Sequence, residues 1–182
     1  MQCFSSPCDS LSKTVEAESD LNSLMWLPTF TWSDEIVERY KDRLDWLQIP
    51  FIENFPWTAT VIECCQLHID WGMLAHSSYF PWSQAILDRY ADLIDWRALS
   101  WHGRLTLELI EQNEDRWDWE WMSWNDHLPW SIELLDRYAD QWDWDRLSQV
   151  ETLPWSDELL ERYQDRWDWR LIAANEGLSS KH

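Results

Sequence analysis

A tripeptide of two tryptophans flanking an aspartate returns along the chain as Trp117-Asp118-Trp119, Trp142-Asp143-Trp144 and Trp167-Asp168-Trp169. Anchored on the second aromatic, the wider series runs Trp46, Trp71, Trp96, Trp119, Trp144 and Trp169, at spacings of 25, 25, 23, 25 and 25 residues. Fourteen residues before the anchors lie Trp32, Trp57, Trp82, Leu105, Trp130 and Trp155. A unit this short cannot bury an apolar face alone, so a sequence built from it has to stack copy on copy. Six copies cover residues 32–169.

Each copy carries helix signals. Ser33, Thr58, Ser83, Thr106, Ser131 and Ser156 precede a helical pattern, and their hydroxyls suit the N-cap. Pro56, Pro81, Pro129 and Pro154 favour an extended approach to those caps. In the first copy Trp32, Ile36, Val37, Tyr40 and Leu44 form an apolar stripe about 140° wide at helical spacing. Asp45, Asp70, Asp95, Asp118, Asp143 and Asp168 then stand before a second pattern, as in Trp144, Leu147 and Ser148. Aspartate there predicts another N-cap and a helix of about one to two turns.

The expected architecture is all-α: a right-handed-type α-solenoid of about six 25-residue helix-turn-helix units. With helices spaced at roughly 8–10 Å, six units would make a rod or arc about 50–60 Å long. The domain reading is a flexible tail over residues 1–18, one repeat domain over 19–178 and a short tail over 179–182. Within the domain, residues 19–31 read as a half-unit cap, on Asp20, Leu21 and Leu24, and units start near 32, 57, 82, 105, 130 and 155.

The unit Leu153-Pro154-Trp155-Ser156, then Arg162-Tyr163, then Trp167-Asp168-Trp169 resembles a Trp-rich short helical repeat of bacterial proteins. The resemblance covers about four fifths of the chain and implies an architecture but no activity.

Charge narrows the function. With 34 acidic against 14 basic residues, the formal charge of −20 repels nucleic-acid backbones and anionic membranes. Direct nucleic-acid binding and a membrane role are therefore not expected. The sequence has no run of 18 apolar residues and no signal-like N-terminal segment, and its cysteines, Cys3, Cys8, Cys64 and Cys65, make a poor disulfide framework. A cytoplasmic location is the expectation.

Two copies break the pattern. The second replaces Arg-Tyr with Cys64-Cys65, and His68 and His76 follow. Cys65 and His68 have the spacing of two zinc ligands, but zinc needs four and no second pair is spaced to match. Cys65 also occupies the stripe position of Tyr40 and Tyr90, so a core role is the preferred reading and no cofactor is expected. The fourth copy lacks two residues and carries Asn113 at the tyrosine position. Trp101, His102, Arg104 and Asn113 mark a candidate irregular site there. No H-E-x-x-H, G-x-S-x-G, P-loop or EF-hand pattern is present, and catalysis is not expected.

The polar face of the long helices repeats as well. Glu38 and Asp42 recur as Asp88 and Asp92, Asp136 and Asp140, and Glu161 and Asp165. Stacked copies would align these carboxylates into an acidic ridge, which favours a protein partner with a basic surface. The expected function is a noncatalytic acidic scaffold for protein–protein interaction. The alternatives are a nucleic-acid mimic that inhibits a DNA-binding protein or nuclease, and a Trp-lined surface for a small ligand or carbohydrate.

Overall fold

A computed structural model of the protein describes residue 23, residues 25–27 and residues 29–179. The tail expected over residues 1–18, the half-unit residues Asp20, Leu21 and Leu24, and residues 180–182 lie outside the described residues. Among the described residues there are α-helices and short 3-10 turns and no strand, so the protein is all-α. None of these helices is long and apolar enough to cross a membrane.

The long-helix pattern of the six copies becomes α1 (Asp34–Tyr40), α2 (Ala59–Cys65), α4 (Gln84–Arg89), α6 (Leu107–Gln112), α8 (Ile132–Arg137) and α10 (Asp157–Arg162). The second pattern becomes α3 (Trp71–Leu74), α5 (Trp96–His102), α7 (Trp119–Met122), α9 (Trp144–Leu147) and α11 (Trp169–Ile172), and α12 (Glu176–Ser179) follows. Hydroxyl caps start five of the long helices: Ser33, Thr58, Thr106, Ser131 and Ser156 each accept the N–H of the residue three further on. Ser83 takes the same extended backbone, but its side chain makes no cap hydrogen bond. Asp95, Asp118 and Asp143 cap their short helices through Oδ1, on the N–H groups of Ala98, Trp121 and Arg146. In the first copy Asp45 instead accepts from Leu47, and a 3-10 turn (Ile49–Phe51) stands where an α-helix was expected.

The long helices are shorter than their apolar stripes. In α1 the regular helix ends at Tyr40, a 3-10 turn (Lys41–Arg43) follows, and Leu44 is already extended at ψ 141°. The tryptophan after the aspartate accounts for this ending. Its indole N–H donates to the carbonyl five residues earlier: Trp46 to Lys41, Trp96 to Ala91, Trp119 to Glu114, Trp144 to Ala139 and Trp169 to Gln164, at 2.8–3.3 Å. Those carbonyls are the ones that a continuing helix would bond to the aspartate N–H. The freed N–H groups go to the preceding copy. Asp118 donates to Ser100 Oγ, Asp143 to Ser123 Oγ and Asp168 to Ser148 Oγ, at 3.0–3.1 Å. Each serine hydroxyl also donates to a carbonyl of its own short helix, at 2.7 Å, and all three serines are fully buried.

The chain divides into two compact units, and the division falls inside the second copy. The first unit ends at Asp70 and also takes in Tyr79–Pro81. There α1 packs against α2 over a core that includes Val37, Ile49, Val61, Ile62 and Cys65. The second unit comprises Trp71–Ser78 and the chain from Trp82 onward. There α5 packs against α3 and α7, and Leu87, Leu99, Ile110, Met122, Leu134, Leu147 and Leu159 are fully buried. Each fully buried leucine, relative to an exposed one, is worth about 1.5–3 kcal/mol of transfer free energy.

The aromatic side chains of the second unit interlock between copies. Trp119 has Tyr138 at 4.6 Å and Trp142 at 5.0 Å, and Trp144 has Tyr163 at 4.5 Å and Trp167 at 4.9 Å. The ring edges and faces meet tilted or T-shaped, the arrangements their quadrupoles favour.

The two-residue deletion of the fourth copy lies in the linker ahead of it. Each of Ser83, Thr106, Ser131 and Ser156 stands 13 residues before its anchor, so the long-helix segment is intact. Upstream, α5 runs seven residues where α7, α9 and α11 run four. It stops at Gly103, whose N–H bonds Leu99 O at 2.8 Å. A Cβ on Gly103 would collide with that same carbonyl and with the Leu99 side chain, so glycine is what permits the close ending.

Candidate functional site

The carboxylates expected to form a ridge are in part bound by side chains of the next copy. In the first unit His68 Nε2 lies 2.9 Å from Asp42 Oδ1. In the second, Asp136 takes a bidentate contact from Arg162, with Nε at 2.9 Å, and the hydroxyl of Tyr163. Asp140 pairs with Arg166 at 2.9 Å, and Asp88 with Arg116 at 3.6 Å. Glu111 and Glu120 pair in the same sense with Arg137 and Arg146. The guanidinium groups also cover tryptophan: Arg166 lies over Trp144 at 5.4 Å and Arg116 over Trp96 at 5.2 Å. Glu38, Asp92, Glu161 and Asp165 make no ion pair among the described residues.

These contacts move the titrations. Hydrogen bonds from Arg162 and then Tyr163 hold Asp136 below its ordinary value, and Arg162 is raised in return. Tyr163 is pushed up to about 12, first by burial and then by its bond to Asp136. Asp168 is drawn down to about 2, chiefly by its side-chain bond to Arg170. Asp168 is therefore anionic as a cap at ordinary pH.

The lengthened α5 creates an aromatic recess of about 270 Å³, lined by His76, Asp95, Arg97, Ala98, Trp101, His102 and Trp121. His102 is stacked between two rings, with His76 at 3.9 Å and Trp101 at 4.2 Å. Trp121 lies 4.6 Å from Trp101, under the Arg97 guanidinium at 4.5 Å. Partial burial, then the charges of His76 and His127, lower the pKa of His102. The lining offers a neutral imidazole, an exposed indole and a carboxylate, but no serine, cysteine or lysine nucleophile.

Of the four residues expected at the irregular copy, Trp101 and His102 reach this recess, whereas Arg104 and Asn113 are not in its lining. Asn113 is buried and locked. Its Nδ2 donates to Gln84 Oε1 at 2.7 Å and Leu109 O at 2.8 Å, and its Oδ1 accepts from Gln84 Nε2 at 3.2 Å. It is a polar replacement for the stripe tyrosine, satisfied inside the fold.

The sequence reading missed a second concavity, in the first unit. A cleft of about 430 Å³ is lined by residues that include Trp26, Leu27, Phe51, Ile52 and Tyr79, four of which are at least 40% exposed. Tyr79 lies in a linker at a position where other copies carry Asn54 and Thr152, which was the available signal.

Cys65 is placed as core and Cys64 is half-buried beside it. Cys65 is fully buried with its Sγ 3.3 Å from Cys64 Sγ, and burial first, then the Cys64 contact, pushes its thiol up to about 12. A thiol so far from ionising is a poor nucleophile and a poor metal ligand. Among the described residues no group of three or more His, Cys, Asp or Glu is placed to hold a metal ion. Comparison of the chain with protein-family models, with curated proteins and with solved structures gave no match.

Proposed function

We propose that the chain is a noncatalytic α-solenoid scaffold that binds another protein carrying a basic surface. The observation that carries this reading is the repeated handover from copy to copy, in which Asp118, Asp143 and Asp168 each give their N–H to a buried serine of the copy before. Copies joined this way behave as a stack whose outer face is free for recognition. That face keeps the acid surplus, and among the described residues Asp92, Glu161 and Asp165 retain unpaired carboxylates for lysine or arginine. Complementary charge speeds encounter and fixes register, and an exposed indole such as Trp101, 41% exposed, is the kind of anchor that dominates interface energetics.

The recess beside Trp101 supports a second reading, a small-ligand site. At about 270 Å³ it falls just below the roughly 300–1,000 Å³ of ordinary ligand pockets. Bonding of Asp88, Asp136 and Asp140 to neighbouring arginines weakens the phosphate-mimic alternative, because a paired carboxylate presents less charge to a DNA-binding protein.

Affinity capture with the wild type and with Asp92→Lys, Asp165→Lys and Trp101→Ala variants tests the scaffold. A partner that binds the wild type stoichiometrically, and that the charge reversals release, supports it. Equal retention by every variant rules out this surface, and release by duplex DNA moves the assignment to the mimic.

A further inference from the structure

The geometry points to a head-to-tail contact between two molecules of this protein, with the sixth copy of one receiving the first copy of the other. The inference rests on the stacked-copy reading above. Within the second unit the contact between the fifth and sixth copies follows one rule: Arg162 and Arg166 bind Asp136 and Asp140, and Tyr163 covers Trp144. The sixth copy offers the same receiving surface. Glu161 and Asp165 stand at the positions of Asp136 and Asp140, and Trp169 at that of Trp144.

Trp169 is also held in the same way, with its indole N–H on Gln164 O at 3.0 Å as that of Trp144 is on Ala139 O at 2.9 Å. What differs is its cover. Among the described residues no ring or guanidinium lies on Trp169, and it is 50% exposed, whereas Trp144 is half-buried. The surface is formed and charged, and it is unpartnered among the described residues.

The first copy carries the matching half. Its segment Glu38-Arg39-Tyr40-Lys41-Asp42-Arg43 differs from Glu161-Arg162-Tyr163-Gln164-Asp165-Arg166 only at the fourth position. Arg39 and Arg43 are exposed and make no ion pair among the described residues. The same register would place Arg39 on Glu161, Arg43 on Asp165, and the half-buried Tyr40 on Trp169. Charge complementarity and identity with a contact already made inside the chain therefore select a second copy as the occupant. A heterologous contact of this kind does not close on itself unless its rotation happens to do so, and it yields short chains as concentration rises.

Sedimentation velocity on the full chain, from about 1 to 200 µM in low salt, reads the association directly, with low salt chosen because the pairs are exposed. The expected result is a weight-average mass that at least doubles over the range for the wild type. The double variants Glu161→Arg/Asp165→Arg and Arg39→Glu/Arg43→Glu should each stay monomeric alone and associate when mixed, because the swap restores opposite charge. A wild type that is monomeric throughout, or association that neither double variant weakens, overturns the proposal. Thermal unfolding of Asp136→Lys separates the two readings, since it breaks the equivalent contact within the chain. A lowered midpoint there with a monomeric wild type sinks self-association alone, whereas an unchanged midpoint counts against the stacked copies.

Discussion

Asp143 gives its N–H to Ser123 Oγ at 3.0 Å, while the carbonyl of Ala139, its helical partner four residues back, accepts the Trp144 indole at 2.9 Å. The exchange ends one helix and ties two copies together with every group satisfied. The same arrangement at Asp168, Ser148 and Trp169 gives a direct test. Ser148→Ala strands the Asp168 N–H in a part-buried place and should cost about 1–3 kcal/mol, the usual penalty for an unsatisfied buried polar group. The denaturant midpoint measures it, and a loss within the roughly 0.5 kcal/mol of an ordinary surface substitution would mean that the bond does not tie the copies.

Trp144 and Trp169 occupy the same position in adjacent copies but differ in cover. Trp144→Ala removes a ring packed against Tyr163 and Trp167 and should cost at least about 3 kcal/mol, as large aromatic truncations do. Trp169→Ala, at 50% exposure in a monomeric sample, should cost clearly less. Chemical denaturation of both at low concentration compares them, and equal losses would show that the two environments are alike in solution.

The sequence predicts much of this arrangement because its signals are local. Hydroxyl caps and aspartate caps act over three residues, and the apolar stripe marks the buried side chains from Val37 to Leu159. The helix endings were not legible, since the indole that replaces the missing backbone donor reaches back five residues and serves no ordinary helical register. Nor was the charge pairing. Glu133 and Arg137 are helix neighbours by spacing, and they do pair at 3.2 Å, but Arg137 also reaches Glu111, 26 residues away, which only a contact between copies supplies. The same holds for Asp136 and Arg162, so half of the expected ridge proved to be bonded to the next copy. The recess at Trp101 lay between these cases: the deletion flagged the place, but only the lengthened α5 brings His76, Trp101 and Trp121 together.

Asn125 is fully buried, and its amide closes the linker that follows α5. Nδ2 donates to Ser100 O at 2.8 Å and Gly103 O at 3.0 Å, and Oδ1 accepts His127 N–H at 2.7 Å. Asn125→Ala leaves three backbone groups without this partner and should cost roughly 2–4 kcal/mol, more than a single lost hydrogen bond because the network is buried. Hydrogen exchange at His127 should rise in the same variant. If that amide stays as protected as in the wild type, the network is not what orders the linker.

His102 supplies a pH dependence whose sign follows from its surroundings. Partial burial, and then the charges of His76 and His127, lower its pKa in the folded state from 6.5, the value it regains on unfolding. Between those two values the unfolded chain binds more protons, so stability rises with pH through that window. The contribution is complete above about pH 6.5 and is lost as pH falls toward the depressed folded value. Asp168 acts elsewhere. Asp168, drawn down to about 2, gives stability that is present above its unfolded value of 3.8 and lost only as pH falls toward 2. Urea midpoints at pH 7.5 and 5.5 isolate the histidine window, and the wild type should be less stable at the lower pH. His102→Gln should flatten that difference while leaving the acid limb below pH 4 in place. If the variant keeps the full wild-type slope, proton uptake in this range belongs to another group, and the stacked rings at His76 and Trp101 do not hold His102 neutral.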